Sequence, residues 1–307
     1  MHTKPKLLVA GHLVALVAGL ALGMIVASLY VVVSAAYHGE IESLVKNEFA
    51  PGGLDLALST VVQNGLFVAL VLALAALLPV EPPWQLTIPG RTLALTRIRH
   101  GLAWRGTQTP FWLAGLAGGL TIGLAAQFVL SVMQMLNLPD LFGSLDMISG
   151  AILDTDGLSF VVVFVALAIV APIGEELLFR GYLWAVLRKV LSPMWTLVVT
   201  TLAFAMFHLE PVHVIGLLPT AVYLGWLRMR TGSVKLCIFV HAINNAMAVL
   251  LGRFLSAEPL LTEADPDLIG QAGLGAVGLA VTIGTAVVAM RAVARMEASS
   301  ATSEVAP

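Results

Sequence analysis

Apolar runs long enough to cross a bilayer recur along almost the whole chain, and they constrain the fold more than any motif does. They lie near residues 8–36, 54–80, 110–136, 158–187, 194–209, 211–229, 235–255 and 270–290. A helix needs about 20 apolar residues to cross the ~30 Å hydrocarbon core, and only helices and closed barrels satisfy their backbone polar groups there. Hydrophobic residues make up 59% of the chain and charged residues 11%, against ~45–50% and ~25% in soluble domains. Such a chain could not clothe itself in polar surface, so the expected fold class is an all-α polytopic membrane protein of about eight transmembrane helices.

Charge placement sets the expected orientation. With the N-terminus inside, 14 of the 16 Lys and Arg residues fall on inner segments or inner span ends, and only Lys46 and Arg253 fall outside. The outer segments instead hold acids, among them Glu40, Glu42, Asp140, Asp154, Glu258 and Asp265. This is the positive-inside pattern, and it places both termini in the cytoplasm. The inner loop at about 81–109 holds four arginines with Trp84 and Trp104, and reads as a basic, topology-setting loop. Segment 137–157 is acidic and interrupted by Gly143, Gly150 and Gly157, as an outer loop with a short surface helix would be. The Ala/Ser-rich stretch from about Glu297 onward reads as a disordered tail. The single cysteine, Cys237, excludes an intrachain disulfide and thiol-rich metal motifs. The chain divides into an N-terminal transmembrane region (1–157), a core (158–255) and a last span with its tail (256–307). No nucleic-acid partner is expected; the expected partners are membrane lipid and a peptide.

Ionisable residues within spans are expensive, at least ~2.5–3.5 kcal/mol each on insertion scales, and mark functional candidates. Three clusters stand out. Glu175 and Glu176 interrupt an apolar run, and Arg180 shares a helix face with Glu176 four residues earlier. Glu175 is rotated ~100° from its neighbour and does not face Arg180. Glu176 is therefore paired, and Glu175 is left to desolvation, which suits a general base. Phe204 and His208 share a face on the next span, and His241 and Asn245 share one on a third. His241 and Asn245 can both donate to one developing negative oxygen. Each cluster also has a plainer reading: a buried ion pair pinning helices, an interfacial histidine, and an interhelical polar clamp. One shared site accounts for all three together.

In this order, Glu175-Glu176-xxx-Arg180, Phe204-xxx-His208 and His241-xxx-Asn245 resemble the three signature motifs of the CAAX protease and bacteriocin-processing (CPBP, Abi) family. These are intramembrane proteases related to the type II CAAX prenyl endopeptidases. The flanking Ala171-Pro172-Ile173 and Leu177-Leu178-Phe179 also match the first motif. The resemblance covers about residues 158–255 and implies a helical core around a cavity open to the cytoplasm. It implies that Glu175 activates water, that His208 orients or helps activate it, and that His241 and Asn245 stabilise the oxyanion. Glu176 and Arg180 would shape the site. A substrate would be a membrane-bound or lipidated peptide, and the membrane a bacterial cytoplasmic one.

Cofactor chemistry stays open at this point. Glu175, His208 and His241 could furnish a three-ligand zinc site with an open fourth position, while a metal-free glutamate mechanism fits equally well. HExxH, GxSG and GxGD motifs are absent. Two other readings accompany the peptidase: a non-catalytic scaffold or bacteriocin self-immunity protein with the same motifs, and a proton-coupled transporter. The transporter reading is weakened by the lack of an internal repeat. Strictly regular spans would hold Glu175 ~25 Å along its helix from residue 158, near the inner surface, and His208 ~21 Å from residue 194, towards the outer surface. A break at Pro172 or Gly174, or a helix of unusual length, is therefore expected, with the polar side chains meeting near mid-depth.

Overall fold

A computed structural model of the protein describes residues 3–45, 52–77, 102–136, 150, 152–208, 211–255 and 268–303. Among these there is no strand. The chain forms α1 (Thr3–His38), the short α2 (Ile41–Val45), α3 (Gly53–Leu77) and α4 (Thr109–Met135). The composite helix α5 (Gly157–Leu187) follows, then α6 (Pro193–Met206), α7 (Pro211–Thr231), α8 (Val234–Leu255) and α9 (Leu268–Ser303). The fold is that of an all-α polytopic membrane protein; among the described residues six helices, α1, α3, α4, α5, α8 and α9, are long and apolar enough to cross a membrane. The other two expected spans, α6 and α7, are helical where expected but are not among the six. At 14 residues, α6 is only ~21 Å long, short of a ~30 Å core. Helix α7 carries Pro219, Arg228 and Arg230 within its 21 residues.

Small residues bring these helices together. In lipid, association depends on close backbone approach rather than on the hydrophobic effect. A Cβ added to Gly19 of α1 would fall 2.3 Å from Leu70 of α3, and one at Gly118 of α4 would fall 2.3 Å from the Tyr223 hydroxyl of α7. On α9, a Cβ at Gly275 would meet the Leu124 carbonyl of α4 at 2.5 Å. Thr121 and Thr282 bridge the same pair of helices at 2.7 Å. Three apolar clusters result among the described residues, two of them larger than the third. Val9, Leu16, Phe67 and Val71 pack with Leu178, Tyr182 and Val186 on one side. Ile122, Tyr223, Leu227, Leu236 and Val240 pack with Ala289 on the other.

Turn chemistry fixes the connections. Ser192 caps α6, its hydroxyl accepting from the Trp195 amide at 3.4 Å, with Pro193 in the first turn. Gly232 ends α7 at φ +63°, a conformation that side chains disfavour. Ser233 then caps α8 by accepting from the Leu236 amide at 3.2 Å. Segments expected on one membrane side do meet: Arg105 donates to the Gly232 carbonyl at 2.9 Å, and Ser233 donates to the Arg105 carbonyl. At the other end, Arg253 donates to the Leu153 carbonyl at 3.1 Å, and Tyr30 to Asp55 at 3.1 Å.

Two expectations need comment. The stretch from Glu297, read as a disordered tail, continues α9 to Ser303. Ala298 and Ala301, strong helix formers, extend a helix that is already nucleated, so the Ser/Ala composition misled. The basic-loop residues 81–101 and the acidic residues 137–149 lie outside the described residues.

Candidate active site

Helix α5 carries the site, and its backbone departs from regular geometry on both sides of the glutamates. Two wider π segments, Ala166–Val170 and Leu177–Leu183, bracket the α-helical Ala171–Glu176. Pro172 has no N–H to offer the Ala168 carbonyl four residues earlier, and its ring crowds that oxygen. The helix answers by widening there instead of breaking. The break expected at Pro172 or Gly174 is therefore absent, and the chain takes the alternative of unusual length. At 31 residues, α5 is ~46 Å long, and Glu175 stands three residues beyond its middle residue, 172. On α6, His208 follows the end of a helix too short to reach the far surface. Both side chains are partly buried.

Glu176 and Arg180 are wholly buried, at 0% exposure each. Arg180 Nη1 donates to Glu176 Oε1 at 2.9 Å, Nη2 donates to the Ala221 carbonyl of α7 at 3.0 Å, and the guanidinium lies 4.4 Å from the centre of the Phe204 ring. Three helices are joined by one cation. His241 Nδ1 lies 2.9 Å from the same Glu176 Oε1. An ionised carboxylate only accepts, so Nδ1 carries the proton and the tautomer is set. Nε2 is then turned towards Glu175, whose Oε2 lies 3.8 Å away. The Glu175 side chain keeps 12% exposure while that of Glu176 has none. Adjacent in sequence, the two acids occupy different environments, as their ~100° separation on the helix requires.

The remaining motif residues are placed less directly. His208 Nδ1 lies 3.1 Å from the Phe204 carbonyl, and its ring is 5.2 Å from that of Phe204. Phe204 is itself 5.7 Å from the His241 ring, so it stands between the two imidazoles. Asn245 Nδ2 donates to the Leu167 carbonyl at 3.0 Å, satisfying a carbonyl in the first π segment. Among the described residues, no three His, Cys, Asp or Glu side chains come together as a metal-binding group. Glu175, His208 and His241 do not gather at one point among the described residues, with the Phe204 ring packed against both imidazoles, so the three do not fit a three-ligand zinc site.

Sequence reasoning missed several polar groups here. Asn64 of α3 is 3% exposed, and a Cβ on Gly174 would fall 2.3 Å from its Oδ1. His12 of α1 lies 2.5 Å from the Tyr182 hydroxyl of α5. Arg228 of α7 donates through Nε to the Arg180 carbonyl at 2.7 Å. The signal for all three was available, since each is a polar residue in or at the end of a span. None belongs to a recognisable motif.

Residues 157–247 match a family model described as type II CAAX prenyl endopeptidase Rce1-like. No curated protein and no solved structure matches the chain. The matched segment begins at the first residue of α5 and ends within α8, and it contains every motif residue described above. Over residues 157–247, 91 of the 307 in the chain, the protein is thus similar to the type II CAAX prenyl endopeptidase family.

Proposed function

We propose that the protein is an intramembrane endopeptidase that hydrolyses a peptide bond in a membrane-bound or lipidated peptide. The observation that carries this reading is the division between neighbouring acids: Glu176 sealed against Arg180 and His241, Glu175 partly open and facing His241 Nε2. Glu175 acts as the base. It takes a proton from water as the water oxygen bonds to the peptide carbonyl carbon. Negative charge then gathers on the carbonyl oxygen, and donors on α8 stabilise it. Asn245 has one amide hydrogen engaged by Leu167 and a second to give. His241 donates from Nε2 when its ring carries both protons. The C–N bond breaks as Glu175 returns its proton to the leaving nitrogen. His208 orients the water, and Glu176 with Arg180 holds His241 in register. No step passes through a metal. Both termini face the cytoplasm, in a bacterial cytoplasmic membrane.

Cleavage of a quenched prenylated peptide by the purified protein tests this. Glu175→Ala is expected to abolish cleavage, and a metal chelator to leave the wild type unaffected. Cleavage at the wild-type rate by Glu175→Ala would sink the mechanism. No cleavage by a folded wild-type protein would favour the scaffold or self-immunity reading.

A further inference from the structure

A helix that carries a proline lacks one N–H, and the carbonyl left without it must be satisfied from elsewhere. In α5 the register around Pro172 identifies that carbonyl. The Ala171 N–H donates five residues back, to the Ala166 carbonyl. The next bond at this spacing would join residue 172 to the Leu167 carbonyl, and a proline has no N–H to give. Regular four-residue spacing would give Leu167 the Ala171 N–H, which the π turn has already sent to Ala166. The Leu167 carbonyl is thus passed over in both registers. Asn245 of α8 supplies the donor instead, through Nδ2 at 3.0 Å. Proline-bearing membrane helices commonly recruit a neighbour in this way, but here the recruit is the amide of the third motif. Asn244 Nδ2 donates to Asn245 Oδ1 at 3.5 Å, so both ends of that amide are fixed. Its second Nδ2 hydrogen donates to no described residue, and Asn245 is only partly buried. In a planar amide held at both ends, the direction of the remaining hydrogen is set.

We propose that Pro172 is a positioning residue for the reaction: by withholding an N–H it leaves the Leu167 carbonyl to anchor Asn245, whose free amide hydrogen is thereby aimed at the developing oxyanion. The inference rests on the peptidase reading above and gives a role in it to a residue with no reactive group. Restoring an N–H at position 172 undoes the arrangement in either register. If the π spacing continues, residue 172 donates to Leu167; if the helix tightens to four-residue spacing, Ala171 does. Both give the carbonyl a donor from its own helix, and Asn245 loses its exclusive hold on it. An oxyanion donor works by being oriented before the charge develops. A donor made mobile therefore weakens an interaction that exists only in the transition state, and the loss appears in kcat with KM unchanged.

The test uses the full-length protein and a quenched prenylated peptide. Asn245→Ala is expected to lower kcat by ~10²–10³-fold, as for other lost oxyanion donors. Pro172→Ala is expected to lower it by ~10-fold or more with KM unchanged, since the donor is displaced rather than removed. In the Asn245→Ala background Pro172→Ala should cost nothing further, because the two residues act through one contact. Wild-type kcat in Pro172→Ala, or an equal loss in both backgrounds, would overturn the proposal and leave the peptidase standing. Side-chain amide NMR of protein labelled with ¹⁵N-asparagine gives a second reading, independent of turnover. The chain has five asparagines, and the signal missing from Asn245→Ala identifies the one sought. In the wild type, one proton of that amide is expected to show the small temperature dependence of a held hydrogen bond, and Pro172→Ala to move the signal towards that of a free amide. A free Asn245 amide in the wild type, which does not depend on Pro172→Ala folding, would overturn the anchor. A held amide released by Pro172→Ala, in a wild type that cleaves nothing, would uphold the anchor and sink the peptidase.

Discussion

Glu175 and Glu176 differ in what each loses when neutralised. Glu176 Oε1 accepts from both Arg180 and His241, and removing its charge strands a guanidinium at 0% exposure. Glu176→Gln is expected to cost about 3–5 kcal/mol, as for other broken buried pairs, read as a lower unfolding midpoint in detergent. Glu175→Gln, facing His241 only at 3.8 Å, is expected to cost less than about 1 kcal/mol while ending cleavage. The opposite ranking in the unfolding experiment would reverse the roles given to the two acids. The Glu176–Arg180 pair was legible from its four-residue spacing. That His241 would lie against both glutamates was not, because they sit 65 and 66 positions away in sequence.

At the level of the helices, α3 meets the motif helix at Gly174, directly before Glu175. A methyl group there would fall 2.3 Å from Asn64 Oδ1 and 2.8 Å from Asn64 Cβ. Gly174→Ala is expected to cost about 1–3 kcal/mol by overpacking. Adding Asn64→Ala should recover much of that loss in a double-mutant cycle, since the two sites share one contact. Additive losses would mean that Gly174 is needed for another reason. The sequence located α5 between residues 158 and 187, close to Gly157–Leu187. It also pointed to Pro172 as a place of irregular backbone. The form of the irregularity, two π segments around a regular turn, depended on how α5 packs with α3 and α8. Asn245 of α8, for instance, supplies the donor for the Leu167 carbonyl.

For the whole molecule, orientation is the property most open to direct test. Cys237 is fully buried and is the only cysteine, so the native protein gives little background with thiol reagents. A cysteine at exposed position Glu40 is expected to react with a membrane-impermeant maleimide on intact cells, and one at exposed Arg230 only after permeabilisation. Labelling of both from outside would break the inside–outside alternation. The large apolar side chains exposed on α1, α4, α5 and α9, such as Leu29, Leu113, Leu158 and Val288, form the surface that faces lipid.

Hydropathy and charge determined the class of this protein and the order of its helices, because transfer into lipid is a property of each segment taken alone. The motif spacing determined which residues share a face, because helical geometry is local. Only the tertiary structure decided that Phe204 packs against two histidines, and that Arg228 is held at the back of Arg180. Those placements arise from glycine-mediated approach and from carbonyls satisfied across helices. Such contacts join residues far apart in the chain, and no local pattern records them.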